Sequence, residues 1–197
     1  MAHGSSAGTE ADGDATDDPP GEVIRYETDE ELLALVLRPY QAKKTEYLKT
    51  AVVQTGGADS SAILTVSGDF TIEESCYIDD TGHFNAVEFN ICYNQLAYYL
   101  IAKSVKDGLV PVFQGWSLDD FWRLQLPNIL ITDFQSSFKR KMRGRMFSGA
   151  VSLTEAVRLE RSQWWNPLIA LRTTCRFWDE SGSSCRGQVK IAITNPV

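Results

Sequence analysis

The chain has 197 residues, 43% of them hydrophobic, with a net charge of −7; this is enough apolar material for one well-buried core and short for two independent domains. Glu10, Asp12, Asp14, Asp17 and Asp18 carry five of those negative charges with no nearby Lys or Arg, so the acidity is mostly that of a tail. A chain of pI about 4.9 without a recognisable base-reading module is not expected to bind nucleic acid.

Residues 1–22 are rich in Gly, Ala, Ser and Asp, contain Pro19-Pro20 and hold no bulky apolar residue beyond Met1. A segment of that composition cannot bury enough surface to order itself, so a disordered tail is expected, followed by a single domain over 23–197. No basic stretch leads into an apolar one at the N-terminus, and Leu32–Leu37 is far shorter than a membrane span. A cytoplasmic protein that does not enter the bilayer is expected.

Thr28 or Asp29 is placed to cap a short helix through Glu30, Glu31, Leu32, Leu33, Val36 and Leu37, which Pro39 stops before Tyr40. This helix is expected to pack on a sheet edge. β-Rich stretches follow at Tyr47–Gln54 and Ala62–Phe70, and Thr55-Gly56-Gly57-Ala58-Asp59 between them reads as an antiparallel hairpin connection. From Asn85 to Lys106, Val87, Ile91, Leu96, Leu100 and Ile101 keep helical spacing, while Ala86, Phe89, Cys92, Ala97 and Tyr98 fill other faces; Gly108 and Pro111 end the pattern. A helix apolar nearly all round is one that the rest of the chain buries. Beyond it, Asp119–Gln125 predicts a short helix ended by Pro127, and Ile129–Phe134, Arg145–Val151, Ala156–Arg161, Ile169–Trp178 and Gln188–Thr194 predict strands. A hairpin, one central helix and a run of antiparallel strands is the order of an α+β hot-dog fold, an antiparallel sheet wrapped around a long helix.

Cys76, Cys92, Cys175 and Cys185 show no CxxC spacing, and His3 is the only histidine besides His83, so no zinc set and no metal cofactor is expected. Cys175 and Cys185 lie symmetrically about the turn at Asp179-Glu180-Ser181-Gly182 and would face each other across a hairpin; in a reducing compartment they are expected as free thiols. Trp116, Trp122 and Trp164-Trp165 read as core or interface anchors.

The most chemically loaded stretch is Thr81-Gly82-His83-Phe84-Asn85-Ala86-Val87-Glu88, where the long helix begins. First-turn N–H groups have no partner within the helix and carry the positive end of its dipole, so a carbonyl or oxyanion can be held there. Together with Arg38-Pro39-Tyr40, Phe70-Thr71-Ile72-Glu73-Glu74-Ser75-Cys76-Tyr77-Ile78, Tyr93-Asn94-Gln95-Leu96-Ala97-Tyr98, Gly115-Trp116-Ser117-Leu118-Asp119-Asp120 and Phe177-Trp178-Asp179-Glu180, this block resembles the FcoT-like fatty acyl thioesterases of actinobacteria. The resemblance runs from about Glu30 to the C-terminus.

The resemblance implies a reaction. Family members in isonitrile lipopeptide and related β-amino acid pathways add glycine to the β-carbon of a (2E)-enoyl chain held on an acyl carrier protein. They then hydrolyse the thioester and release a 3-(carboxymethylamino) fatty acid, with no cofactor. It further implies that Tyr40, Tyr77, Asn85 and Asn94 belong to the site, with His83 and Glu88 in the same matching blocks; Phe84, between His83 and Asn85, is expected to bind substrate.

Glycine's amine is a cation at neutral pH and attacks only after losing a proton, which makes Glu88 and His83 the candidate bases. The alternative for Glu88 is a structural carboxylate paired to an Arg or capping backbone N–H groups, and for His83 a turn histidine satisfied by backbone. Asn85 would either cap the helix or orient the thioester carbonyl. Tyr40 and Tyr77 would donate hydrogen bonds to the carbonyl or to the glycine carboxylate. Asn94 lies nine residues beyond Asn85 and therefore about 180 degrees around the helix, so only the resemblance places it at the site.

Lys139-Arg140-Lys141-Met142-Arg143-Gly144-Arg145 sets five positive charges in seven residues. Lys139, Arg140, Lys141 and Arg143 are the expected docking surface for an acidic carrier protein and its phosphopantetheine phosphate, the alternative being a solvated loop. Hot-dog sheets commonly continue into a second copy, so at least a homodimer is expected. Three rival functions share these features: a plain acyl-CoA or acyl-carrier thioesterase, a hydratase or dehydratase, and a noncatalytic acyl-thioester binder.

Overall fold

The computed structural model describes residues 23–56, 61–79, 82–160 and 166–197. The acidic tail, part of the first hairpin loop, Thr81 and the Trp164-Trp165 pair lie outside them.

The central element is helix α2, Ala86–Asp107, capped by Asn85 at its start and by Gly108 in the left-handed region, φ +65°, at its end. Phe89, Cys92, Tyr93, Leu96, Tyr99, Leu100 and Ala102 are almost wholly buried, on several faces, as an all-round apolar pattern requires. Helix α1, Glu30–Leu37, is capped by Asp29, whose side chain accepts from Leu32 N–H. It packs on α2 rather than on a sheet edge. The reason is electrostatic as well as apolar: Asp29 pairs with Lys106 at 2.5 Å and Lys103 at 3.7 Å, and its N–H donates to Tyr99 Oη at 2.9 Å. Pro39 does end α1, yet the chain continues as a 3₁₀ turn over Arg38–Lys43, because proline lacks only the N–H that a first turn leaves unused.

Seven strands form one antiparallel sheet among the described residues: β1 Ile24–Tyr26, β2 Val52–Thr55, β3 Leu64–Thr71, β4 Ile129–Phe138, β5 Met146–Leu159, β6 Leu168–Trp178 and β7 Ser184–Thr194. Their order is β1-β2-β3-β5-β6-β7-β4. This is the expected α+β hot-dog arrangement, with two corrections of detail. The stretches expected as separate strands over Arg145–Val151 and Ala156–Arg161 meet in the single strand β5, which runs Met146–Leu159; Arg161 lies outside the described residues, and a register shift between Leu153 and Glu155 lets the strand bend without breaking. Tyr47–Gln54 contributes a strand only from Val52; Tyr47 and Leu48 are tied to α2 instead, their N–H groups donating to Gln95 Oε1 at 3.1 and 2.9 Å. No described helix is long and apolar enough to cross a membrane.

Inward-facing rings fill the space between sheet and helix near the start of α2. Phe84, Phe89, Phe147 and Phe177 lie with neighbouring centroids 4.6–6.1 Å apart, within the range of favourable ring pairing. Cys175 and Cys185 are free thiols. They are offset by two residues across the hairpin, Cys175 opposite Gly187 and Cys185 opposite Phe177, and burial pushes each thiol up to about 12.

Candidate active site

Segments distant in sequence meet at the N-terminus of α2. Gly82 holds a left-handed conformation, φ +67°, which a side-chain-bearing residue adopts only with strain. The turn it makes leaves His83 exposed and sends Phe84 inward, 2% exposed and 4.6 Å from the Phe147 ring. The structure therefore places Phe84 as the core anchor of the turn.

Asn85 Oδ1 accepts from Val87 N–H at 2.9 Å and Glu88 N–H at 3.2 Å, while Asn85 N–H donates to Glu88 Oε2 at 3.3 Å. This is a reciprocal capping box, and it buries Glu88 to 5% exposure. It also changes how the helix end is used. Two of the N–H groups expected to hold an oxyanion are already taken, but Asn85 Nδ2 adds a side-chain donor there, buried without a hydrogen-bond partner among the described residues. A buried amide in that state costs about 1–3 kcal/mol. A carbonyl oxygen is its natural complement.

The basic run is pinned to this turn through its backbone. Phe84 N–H donates to the Met142 carbonyl at 2.9 Å, and Ile72 N–H to the Arg145 carbonyl at 3.0 Å. Gly144 passes so close that a Cβ there would lie 3.2 Å from Phe84 N and 3.4 Å from His83 C. Arg143 N–H donates to Asp179 Oδ2 at 2.8 Å. Asp179 is itself buried and also accepts from the Ser181 hydroxyl at 2.6 Å and from the Ser181 and Ser183 N–H groups. Burial pushes its carboxyl up, but these hydrogen bonds from Ser181, Arg143 and Ser183 outweigh it and leave the group below the ordinary range.

Two depressions share His83. The smaller, about 190 Å³, is lined by Ile72, Glu73, Ser75, Gly82, His83, Glu88 and Arg143-Gly144-Arg145. The larger, about 680 Å³, is lined by His83 through Ala86 and by Phe138 through Lys141. Another depression of about 600 Å³ lies on the opposite face of the sheet, among Ser, Thr, Gln and Arg side chains of β4 to β7; no carboxylate or histidine lines it.

His83, Asn85, Glu88, Lys139, Arg140, Lys141 and Arg143 thus gather around one turn. Tyr77, 46% exposed, lines neither depression beside His83. Tyr40 also stands apart, half-buried on the 3₁₀ turn; burial, with Tyr98 and Cys92 beside it, pushes its hydroxyl far above the usual phenol range. Asn94 is on another face of α2, where Nδ2 donates to Asn90 Oδ1 at 3.4 Å. Sequence reasoning passed over Ser75, whose hydroxyl is buried with no hydrogen-bond partner among the described residues, and Arg145 as a wall of the smaller depression. Both sit in segments the sequence had singled out, but nothing in their spacing says that the two segments meet.

Residues 35–193 match the family described as FcoT-like thioesterase domain. A (2E)-enoyl-[ACP] glycyltransferase of Streptomyces coeruleorubidus is 46% identical over 169 residues, 85% of this chain and 98% of that protein. A protein of the same name from Mycobacterium marinum is 39% identical over 166 residues, 84% of this chain and 86% of its own. Among solved structures, a thioesterase-like protein from Ralstonia eutropha is similar at TM-score 0.46 and 10% identity, covering 82% of this chain and 99% of that one.

Proposed function

This chain belongs to the FcoT-like thioesterase domain family, and from that premise we propose that it is an enzyme that adds glycine to a (2E)-enoyl thioester on an acyl carrier protein and then hydrolyses the thioester. The observation that carries the reading at the site is Asn85 Nδ2, a buried and unspent donor beside His83 at the start of α2.

The carrier's phosphopantetheine arm enters the larger depression, with its phosphate against Lys139, Arg140 and Lys141. The thioester oxygen accepts from Asn85 Nδ2, and the positive end of α2 reinforces the withdrawal of charge toward that oxygen. Glycine's ammonium gives one proton to Glu88 or His83, and the neutral nitrogen bonds to the β-carbon as the Cα–Cβ π pair moves toward the carbonyl. The resulting enolate takes a proton at Cα, and the nitrogen returns to its neutral state by losing its extra proton. In the second step water attacks the same carbonyl carbon, the oxyanion occupies the same donor, and the carrier thiol leaves with a proton.

A homodimer belongs to this reading. Strand β4 ends the sheet order and carries Leu130 and Phe138, 43% and 40% exposed, so a second copy pairing there covers an apolar edge that would otherwise invite unwanted pairing. Phe138 also lines the larger depression.

Mass spectrometry of products from 2-enoyl-carrier thioesters of graded length with isotopically labelled glycine tests the proposal. The expected product is the free acid carrying one labelled glycine. Free enoic acid alone would mean a plain thioesterase, water addition without thioester loss a hydratase, and no turnover a binding protein.

A further inference from the structure

The smaller depression beside His83 differs from the larger in both size and charge. At about 190 Å³ it holds roughly six waters at ~30 Å³ each, room for a molecule of a few heavy atoms and too little for a fatty acyl chain. Its walls bring both charge signs to that small volume: Glu73 and Glu88 on one hand, Arg143 and Arg145 on the other. The formal charges cancel, so the site suits a small ligand that carries both signs itself better than a simple anion or cation.

The donors are not equivalent. Arg143 shares its charge with Glu180 at 4.0 Å, and both of those side chains lie largely in solvent. Arg145 has no ion pair among the described residues, while its carbonyl is fixed by Ile72 N–H at 3.0 Å. Across the same space, Ser75 Oγ is buried with no hydrogen-bond partner among the described residues. A carboxylate would occupy both donors and relieve the cost of leaving that hydroxyl unsatisfied.

We propose that this depression is the glycine subsite: Arg145 and the Ser75 hydroxyl bind the carboxylate, and Glu88 faces the ammonium. The inference rests on the reaction proposed above and deepens it. Because His83 is a wall of both depressions, an amine held on the small side reaches an acyl thioester held on the large side across one residue. The small volume also favours the smallest amino acids, since glycine has five heavy atoms and the space holds roughly six waters.

The test measures labelled-amine incorporation by the full-length protein on one 2-enoyl-carrier thioester while glycine, glycinamide and alanine are varied. The wild type is expected to prefer glycine over glycinamide by about 10- to 100-fold in kcat/KM, the range of a hydrogen-bonded charge pair, and to use alanine less well than glycine. Arg145→Gln is expected to raise the KM for glycine by a similar factor with a much smaller change in kcat and to abolish the preference over glycinamide, while Arg145→Lys recovers part of both. Equal use of glycine and glycinamide by the wild type overturns the subsite, and this comparison stands even if a variant does not fold. An unchanged glycine KM in folded Arg145→Gln overturns it too. A wild type that incorporates no glycine at all refutes the proposed reaction and the subsite with it, whereas incorporation without carboxylate discrimination refutes the subsite alone.

Discussion

Replacing Asn85 with Asp separates the two tasks this side chain is proposed to perform. Oδ1 already serves structure, accepting at 2.9 and 3.2 Å from the first turn of α2; Nδ2 is the buried donor assigned to the thioester oxygen. Asp keeps the acceptor and is as good a cap as Asn, and its charge adds about 0.3–1 kcal/mol with the helix dipole. Repulsion from Glu88, whose Oε2 accepts the Asn85 N–H at 3.3 Å, and burial of a carboxylate oxygen where Nδ2 has no partner among the described residues outweigh that gain, so a fall in Tm of a few degrees is expected. The donor, however, is gone, and loss of one oxyanion donor typically costs about 2.7–4 kcal/mol, or roughly 10²–10³ in rate. Asn85→Ala removes both functions: the same rate loss accompanies about 1 kcal/mol of lost stability, a fall of about 2–4 °C for a chain of this size. Thermal unfolding and single-turnover product release on one enoyl-carrier thioester measure the two effects separately. A stable Asn85→Asp variant that reacts at the wild-type rate would show that Asn85 is only a cap.

The other predictions concern what holds the site in place. Gly144→Ala should displace the His83 turn, because the added methyl meets backbone at 3.2 and 3.4 Å; a loss of about 1–3 kcal/mol is expected in denaturant unfolding, with glycine incorporation falling alongside. Gln95→Leu should cost about 1–3 kcal/mol by the same measurement, since it strands the Leu48 N–H, which now donates to the amide oxygen at 2.9 Å, while the Tyr47 N–H and the Thr45 carbonyl keep their own bond at 2.9 Å. Asp29 supplies a pH dependence: its hydrogen bond with Lys106 holds the carboxyl below its ordinary value, so its stabilisation is complete above about pH 4 and disappears as pH falls through the lower folded value. The Tm difference between wild type and Asp29→Asn should accordingly be steady from pH 7 to 5 and shrink below pH 4.

The sequence made α2 legible because its cap, apolar pattern and terminating glycine all agree, and Asn85 and Gly108 are where that pattern puts them. The strands were harder. Thr154 and Glu155 interrupt the apolar alternation of β5 and read as a break, yet the pairing with β6 continues on both sides of the shift, because neighbouring strands supply the hydrogen bonds that local pattern cannot promise. Strand β1 was missed for a related reason: Ile24, Arg25 and Tyr26 are too few to show a period, and only pairing with Val53, Gln54 and Thr55 makes them a strand. At the site, His83, Asn85 and Glu88 were legible because they are contiguous. Arg145 and Ser75 were not, since their meeting depends on the Ile72–Arg145 hydrogen bond and on the approach of Gly144 to Phe84.

That pinning also explains how an acidic protein keeps a dense positive run ordered beside its reactive turn. Five cations in seven residues repel one another and would favour a solvated loop. Met142 breaks the run at its middle: its side chain is 1% exposed, and its carbonyl accepts the Phe84 N–H. The buried methionine divides the charges, leaving Lys139, Arg140 and Lys141 on the larger depression and Arg143 and Arg145 on the smaller. Asp179, held ionised by its own hydrogen bonds, then anchors the second half through Arg143 N–H. Position is therefore set by backbone bonds and one apolar side chain, which leaves the guanidinium and ammonium groups available to ligands. Under the proposed reaction and subsite, this division lets one segment serve both ligands, the acidic carrier on one side of His83 and the small zwitterion on the other.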